Sequence, residues 1–251
     1  TELVPPSLAG AKLLLVEDND LNQELAVALL SKQGIDVCVA EHGKQALDML
    51  EQQDFDGVLM DCQMPVMDGY EATRAIRKQP KYATLPVIAM TANVMTQSQQ
   101  EIVECGMDDI IVKPINVSKM LATLMQWIKV APQSVVLPVA SESSDNSAAL
   151  FMQIPQLDYQ AGLAISSGDS ALYKKLLQRF YNKQQHFSAE FDTALREVSS
   201  GRDIQAATRC AHTLKGTAGN IGATQVQQAA AKLESACEQS VPQLANQIAE
   251  V

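Results

Sequence analysis

Cysteine is sparse and badly placed for cross-linking. The five residues Cys38, Cys62, Cys105, Cys210 and Cys237 are scattered, odd in number and never spaced C-x-x-C. Neither a disulfide framework nor a thiolate zinc site is suggested, and reduced, cytosolic thiols are the better reading. Positive charge is also short: 19 Lys and Arg stand against 29 Asp and Glu, for a net charge of -10, without a basic cluster. A nucleic-acid backbone would be repelled rather than steered in. No apolar run approaches the roughly 20 residues needed to span a bilayer, so no membrane contact is expected from this chain. The opening "TELVPPSLAG" has neither the charged nor the apolar region of a signal peptide. It begins at Thr1 rather than Met, as expected of a piece of a longer chain. A Gly-rich ATP-binding box is missing as well, so autophosphorylation from ATP is not expected.

What remains is an ordinary globular composition, 47% hydrophobic over 251 residues, enough for one large domain or two small ones. Two halves have different periods. From residue 11 to 130, short apolar runs such as "KLLLVED", "DVCVA", "VLMD", "PVIAMTA" and "IIVKP" alternate with amphipathic stretches such as "LNQELAVALLSKQG". Continuous apolar strands alternating with helices predict a five-stranded parallel sheet covered on both faces, an α/β doubly wound fold. In the first helix Leu21, Leu25 and Leu29 recur at i+4, Asp20 is the expected cap with Gln23 three residues on, and Gly34 suits the left-handed exit. Residues 131–154, rich in Pro, Ser and small residues, read as a linker after an N-terminal tail at 1–10. From 155 to 251 every stretch has helical spacing, including Phe187, Phe191, Leu195 and Val198, then Ile204, Ala207, Ala211, Leu214 and Ala218, then Val226, Ala230, Leu233 and Cys237. An all-α helical bundle is expected there, its final helix at about 241–251.

Ligands of open parallel sheets sit beyond the carboxyl ends of the strands. That rule gathers Glu17 and Asp18 after the first strand, Asp61 after the third, Thr91 after the fourth and Lys113 after the fifth. Three carboxylates about 4 Å apart repel by about 4 kcal/mol per ionised pair at an effective dielectric near 20. A divalent cation removes that conflict, and an all-oxygen ligand set favours Mg²⁺ or Mn²⁺. Cation and ammonium flanking a carboxylate suit phosphoryl transfer onto Asp61, which is catalysed mainly by positioning and charge neutralisation. Met64 and Met67 read as gap-filling or partner-facing apolar side chains rather than ligands, and Thr91 and Cys62 each have a packing role as the plainer alternative.

On these residues the first half resembles a response-regulator receiver domain: Glu17 and Asp18 match its acidic pair, Asp61 its phospho-acceptor, Met64-Pro65-x-Met67-Asp68-Gly69 the following loop, Thr91-Ala92 its switch threonine and Lys113-Pro114 its lysine and proline. The resemblance implies a flavodoxin-like fold in which Glu17, Asp18, Asp61 and the backbone carbonyl of Gln63 hold Mg²⁺, while Thr91 and Lys113 contact phosphoryl oxygens. Ile110 departs from the aromatic residue frequent three positions before the lysine, so the resemblance does not carry an aromatic switch over to this position.

The second half offers "ATRCAHTLKGTAGNIG". At 100° per residue His212 points roughly 130° from the apolar stripe, so it is expected to be exposed, with Thr208, Arg209, Lys215, Gly216 and Gly219 around it. Two glycines inside a helix cost about 1 kcal/mol each relative to Ala, and close approach of another protein is one offset. An incidental surface histidine is the other reading. The segment resembles the active helix of histidine-containing phosphotransfer (HPt) domains, which implies His212 as phospho-acceptor supported by Lys215 and Gly216. His42 and His186 have no such surroundings and read as surface residues.

A receiver followed by an HPt bundle resembles the C-terminal part of a bacterial hybrid sensor histidine kinase, a two-component phosphorelay protein of the inner membrane. The implied function is transfer from an upstream histidine kinase core, in the same or a sister chain, to Asp61, then to His212, then to a downstream response regulator receiver. A flexible linker of about 24 residues spans about 27 Å r.m.s. and gives an effective concentration of order mM. Two alternatives stand beside it. An Mg-dependent aspartyl-nucleophile phosphatase would carry an acidic residue two positions after the nucleophile, where Gln63 stands. A binding module would carry the same acceptor residues as vestiges.

Overall fold

The computed structural model describes residues 8–92, 96–129, 157–200, 203 and 205–249. The chain divides into two compact units, and the expected linker lies outside the described residues.

In the first unit apolar runs become strands: β1 (Lys12–Val16), β2 (Asp36–Ala40), β3 (Gly57–Asp61), β4 (Val87–Thr91) and β5 (Asp109–Val112). They form one sheet in the order β2-β1-β3-β4-β5, every pairing parallel. The helices are α1 (Asp20–Ser31), α2 (Gly43–Gln52), α3 (Gly69–Arg77), α4 (Thr96–Cys105) and α5 (Val117–Trp127), with a 3₁₀ turn at Pro80–Tyr82. The central strands β3 and β4 are buried at every position, whereas β2 and β5 at the edges are only partly covered. Leu14, Val16, Met60 and Ala89 face a core closed by Ala46, Leu50 and Ile76. Each fully buried leucine contributes about 1.5–3 kcal/mol.

Side chains set the helix starts. Asp68 and Asn116 accept from the third backbone N–H beyond them, and His42 does the same for α2 through Nδ1, 3.1 Å from the Gln45 nitrogen. His42 is thus a cap. For α1 the cap is Asn19 rather than the expected Asp20: its Oδ1 accepts from the Leu21 and Asn22 nitrogens at 3.1 and 3.2 Å. Gly34 takes the left-handed exit with φ +74, where an added Cβ would lie 3.1 Å from Ala9. Leu8 and Ala9 of the expected N-terminal tail are packed against the unit. Arg77, at the end of α3, donates to the carbonyls of Gly106, Tyr82 and Leu85 at 2.8, 3.0 and 2.9 Å and to Asp108 at 2.7 Å. Asp108 in turn accepts from the Val87 nitrogen, so one guanidinium joins the approaches to β4 and β5.

The second unit is helical: α6 (Tyr159–Ile165), α7 (Ser170–Gln184), α8 (Phe187–Ser199), α9 (Ala206–Asn220) and α10 (Thr224–Ala249). Tyr173 of α7 is fully buried, meets Tyr159 edge-on at 5.6 Å and donates its hydroxyl to the Ile221 carbonyl at 2.8 Å. Gly222 turns the chain from α9 into α10 at φ +75, and a Cβ there would fall 2.2 Å from the Asp158 oxygen. Ala194, Val198, Ala206 and Ala207 form a core with Phe191, Cys210 and Cys237. Two expectations are corrected. The last helix does not begin near 241: α10 is continuous through Pro242. Its apolar stripe is met only in part: Ala230 is buried as expected, but Val226 is exposed, and the charged Glu234, outside the stripe, is buried instead. Ile204, expected in the core, lies outside the described residues.

Candidate functional site

Glu17 follows β1, and its backbone N–H continues the ladder to the Ala40 carbonyl at 3.0 Å. Its side chain, 2% exposed, is held at both oxygens: Asn22 Nδ2 donates to Oε1 at 2.8 Å and Lys113 Nζ to Oε2 at 2.6 Å. Asp61, the last residue of β3, is equally buried and accepts from the same Lys113 Nζ at 2.6 Å and from the Gln63 backbone N–H at 3.2 Å. Carboxylate oxygens of Glu17, Asp18 and Asp61 lie within 4.8 Å of one another. Thr91 ends β4 and is buried, and the Lys113 nitrogen is bonded to its carbonyl at 2.8 Å. Glu17, Asp18, Asp61 and Lys113 are therefore together, with Thr91 at the end of the neighbouring strand, and the Lys113–Pro114 peptide is cis. Ile110 is half-buried and packs against the core.

Burial raises the Glu17 carboxyl to about 7; the Lys113 charge opposes this and the Asp61 charge adds to it. Burial alone would lower Lys113, but the Asp61 and Glu17 carboxylates keep its ammonium charged far above the ordinary range. One cation is shared between two anions, with a third carboxylate beside them. Three all-oxygen donors of this kind fit a hard divalent cation such as Mg²⁺. Burial, with the Asp61 charge adding to it, pushes the Cys62 thiol up to about 12, so it stays protonated.

The loop after Asp61 must turn sharply. Gly69 passes so close that a Cβ there would lie 2.1 Å from the Asp61 carbonyl oxygen, so only glycine fits. Val66 sits at φ 69 with the Met67 nitrogen bonded to the Pro65 oxygen at 2.8 Å, a tight γ-turn around a β-branched residue.

His212 lies on α9 but is 6% exposed, against the expectation of an exposed ring. The reason is α10, which covers this face and brings Glu234. Glu234 Oε1 is 2.5 Å from His212 Nδ1, and its Oε2 accepts from Lys215 Nζ at 2.7 Å. Burial raises the Glu234 carboxyl, but the hydrogen bonds from His212 and Lys215 outweigh it and hold the group below its ordinary value. With Nδ1–H given to a carboxylate, Nε2 carries the lone pair. A Cβ at Gly216, one turn beyond His212, would meet nothing within 4 Å. No packing inside the bundle demands that glycine. Arg209 is turned away into an ion pair with Asp203. His186 is exposed at the start of α8.

Comparison with known proteins decides what these units are. Residues 13–125 match the response regulator receiver domain family, and residues 175–251 match the Hpt domain family. The chain is a receiver domain followed by an Hpt domain. Both modules serve phosphorelay signal transduction. The sensor protein GacS of Pseudomonas syringae pv. syringae is 30% identical over 95% of this chain and 26% of its own length. The aerobic respiration control sensor protein ArcB of Escherichia coli O157:H7 is 30% identical over 91% of this chain and 28% of its own length. The chain thus spans about a quarter of the length of these relatives. The crystal structure of the receiver domain of a sensor histidine kinase from Pseudomonas aeruginosa, which has magnesium in its cleft, is 40% identical over 47% of this chain and 98% of that one, with a TM-score of 0.45. No helix among the described residues is long and apolar enough to cross a membrane.

Proposed function

We propose that this receiver–Hpt pair relays a phosphoryl group from a phosphohistidine of an upstream histidine kinase core to Asp61, from Asp61 to His212, and from His212 to the aspartate of a downstream response regulator. The chain then acts at the cytoplasmic side of a membrane sensor kinase. The observation that carries the reading is the shared Lys113 ammonium, 2.6 Å from both Glu17 and Asp61 in a buried acidic crevice.

In the first step an Asp61 oxygen attacks phosphorus; the O–P bond forms as the N–P bond breaks, and the departing imidazole nitrogen takes up a proton. In the second the His212 Nε2 lone pair attacks, the O–P bond breaks and its electron pair returns to the Asp61 carboxylate. Glu17, Asp18, Asp61 and the Gln63 carbonyl would hold Mg²⁺ or Mn²⁺, which supplies charge neutralisation for the phosphoryl oxygens. Lys113, already charged, and Thr91 orient those oxygens, so positioning takes the place of acid–base chemistry at Asp61. At the second acceptor Glu234 fixes the tautomer, and Lys215 adds positive charge where the phosphoryl arrives. The phosphatase alternative has no support at Gln63, which supplies no acid.

Labelling by a phosphorylated kinase core tests the order. The relay requires a base-labile acyl phosphate at Asp61 and an acid-labile phosphoramidate at His212, the second absent from an Asp61→Asn chain. His212 label that forms at the full rate without Asp61 removes the ordered relay.

A further inference from the structure

Glu17 and Asp61 are gripped alike. Each gives one oxygen to Lys113 Nζ and the other to a neutral N–H: the Gln63 backbone for Asp61, and the Asn22 side chain for Glu17. The second grip matters more for the glutamate, which has one more rotatable bond than an aspartate and therefore more freedom to lose. A small, strictly octahedral cation tolerates little such freedom. Asn22 is itself fixed, being 4% exposed with its backbone N–H held by the Asn19 cap at 3.2 Å. Asparagine is also a poorer helix former than alanine, so its place in the first turn of α1 has a local cost that its amide offsets.

We propose that Asn22 is a positioning residue that sets the Glu17 carboxylate for the divalent cation of the receiver crevice. The inference rests on the metal reading above. Asn22 does not itself ligate; its amide leaves each Glu17 oxygen with a lone pair while removing the rotation that would swing the carboxylate away. Hydrogen-bond partners of metal ligands typically carry about 10–100-fold in affinity.

Direct titration of the full chain with MgCl₂ and with CaCl₂ by calorimetry tests this, without any phosphoryl donor. Asn22→Leu keeps the bulk and removes the donor; it should weaken Mg²⁺ binding about 10–100-fold. Ca²⁺, which accepts irregular coordination, should lose less. In a Glu17→Ala background the Asn22→Leu change should have no further effect, because Asn22 acts through Glu17. Asn22→Ser, which keeps a short donor, should fall between wild type and Asn22→Leu. It replaces Asn22→Leu if thermal melting in EDTA finds the latter unfolded. Unchanged Mg²⁺ affinity, equal losses for both cations, or an undiminished loss without Glu17 would each overturn the proposal. A wild-type chain that binds no Mg²⁺ would instead overturn the metal reading itself.

Discussion

At the scale of single residues, the two proposed acceptor sites are tuned by neighbours rather than by their own chemistry. Gly216 is the clearest case, because the helix interior penalises it and no internal contact requires it. Gly216→Ala is therefore expected to stabilise the Hpt bundle by up to about 1 kcal/mol in urea melts while slowing phosphoryl transfer to His212, since the new methyl group fills the open approach. Glu234 gives the pH dependence. Its carboxyl is depressed in the folded state by His212 and Lys215 against the effect of burial, so it contributes stability that is complete above its ordinary value of 4.5 and lost as pH falls through the lower folded value. Urea melts of wild type and Glu234→Gln should differ by a constant amount above that range and converge below it.

Among the elements, Arg77 is the fastening that sequence periodicity does not reveal. Replacing it by Met removes the donor for three carbonyls and for Asp108. A loss of about 2–3 kcal/mol is expected from the urea midpoint, without change at His212. The strands were legible because a parallel sheet covered on both faces needs unbroken apolar runs, and the crevice because Glu17, Asp61 and Lys113 end such runs. Glu234 was not. It lies 22 positions after His212, in a helix whose other charges, Lys232 and Glu238, face solvent. The same blind spot misplaced His212: an apolar stripe identifies one buried face, but α10 buries a polar face of α9 by supplying its own carboxylate. The start of α1 was missed by one residue because Asn19 and Asp20 are both good caps.

For the molecule as a whole, the net charge of -10 includes three carboxylates confined to the receiver crevice. Mg²⁺ should therefore raise the unfolding temperature of the receiver and leave that of the Hpt unit unchanged in calorimetric scans. The gain approaches about 2.7 kcal/mol at a concentration 100-fold above the dissociation constant. EDTA should reverse the shift, and Asp18→Ala should reduce it. The feature with the widest reach is the reliance of His212 on a carboxylate from another helix. Before α10 docks, α9 carries an imidazole whose two nitrogens are interchangeable and a lysine that is merely one more surface charge. In the proposed relay, a chain whose α10 is undocked should therefore be a poor phosphoryl acceptor, since the carboxylate that orients the ring is missing.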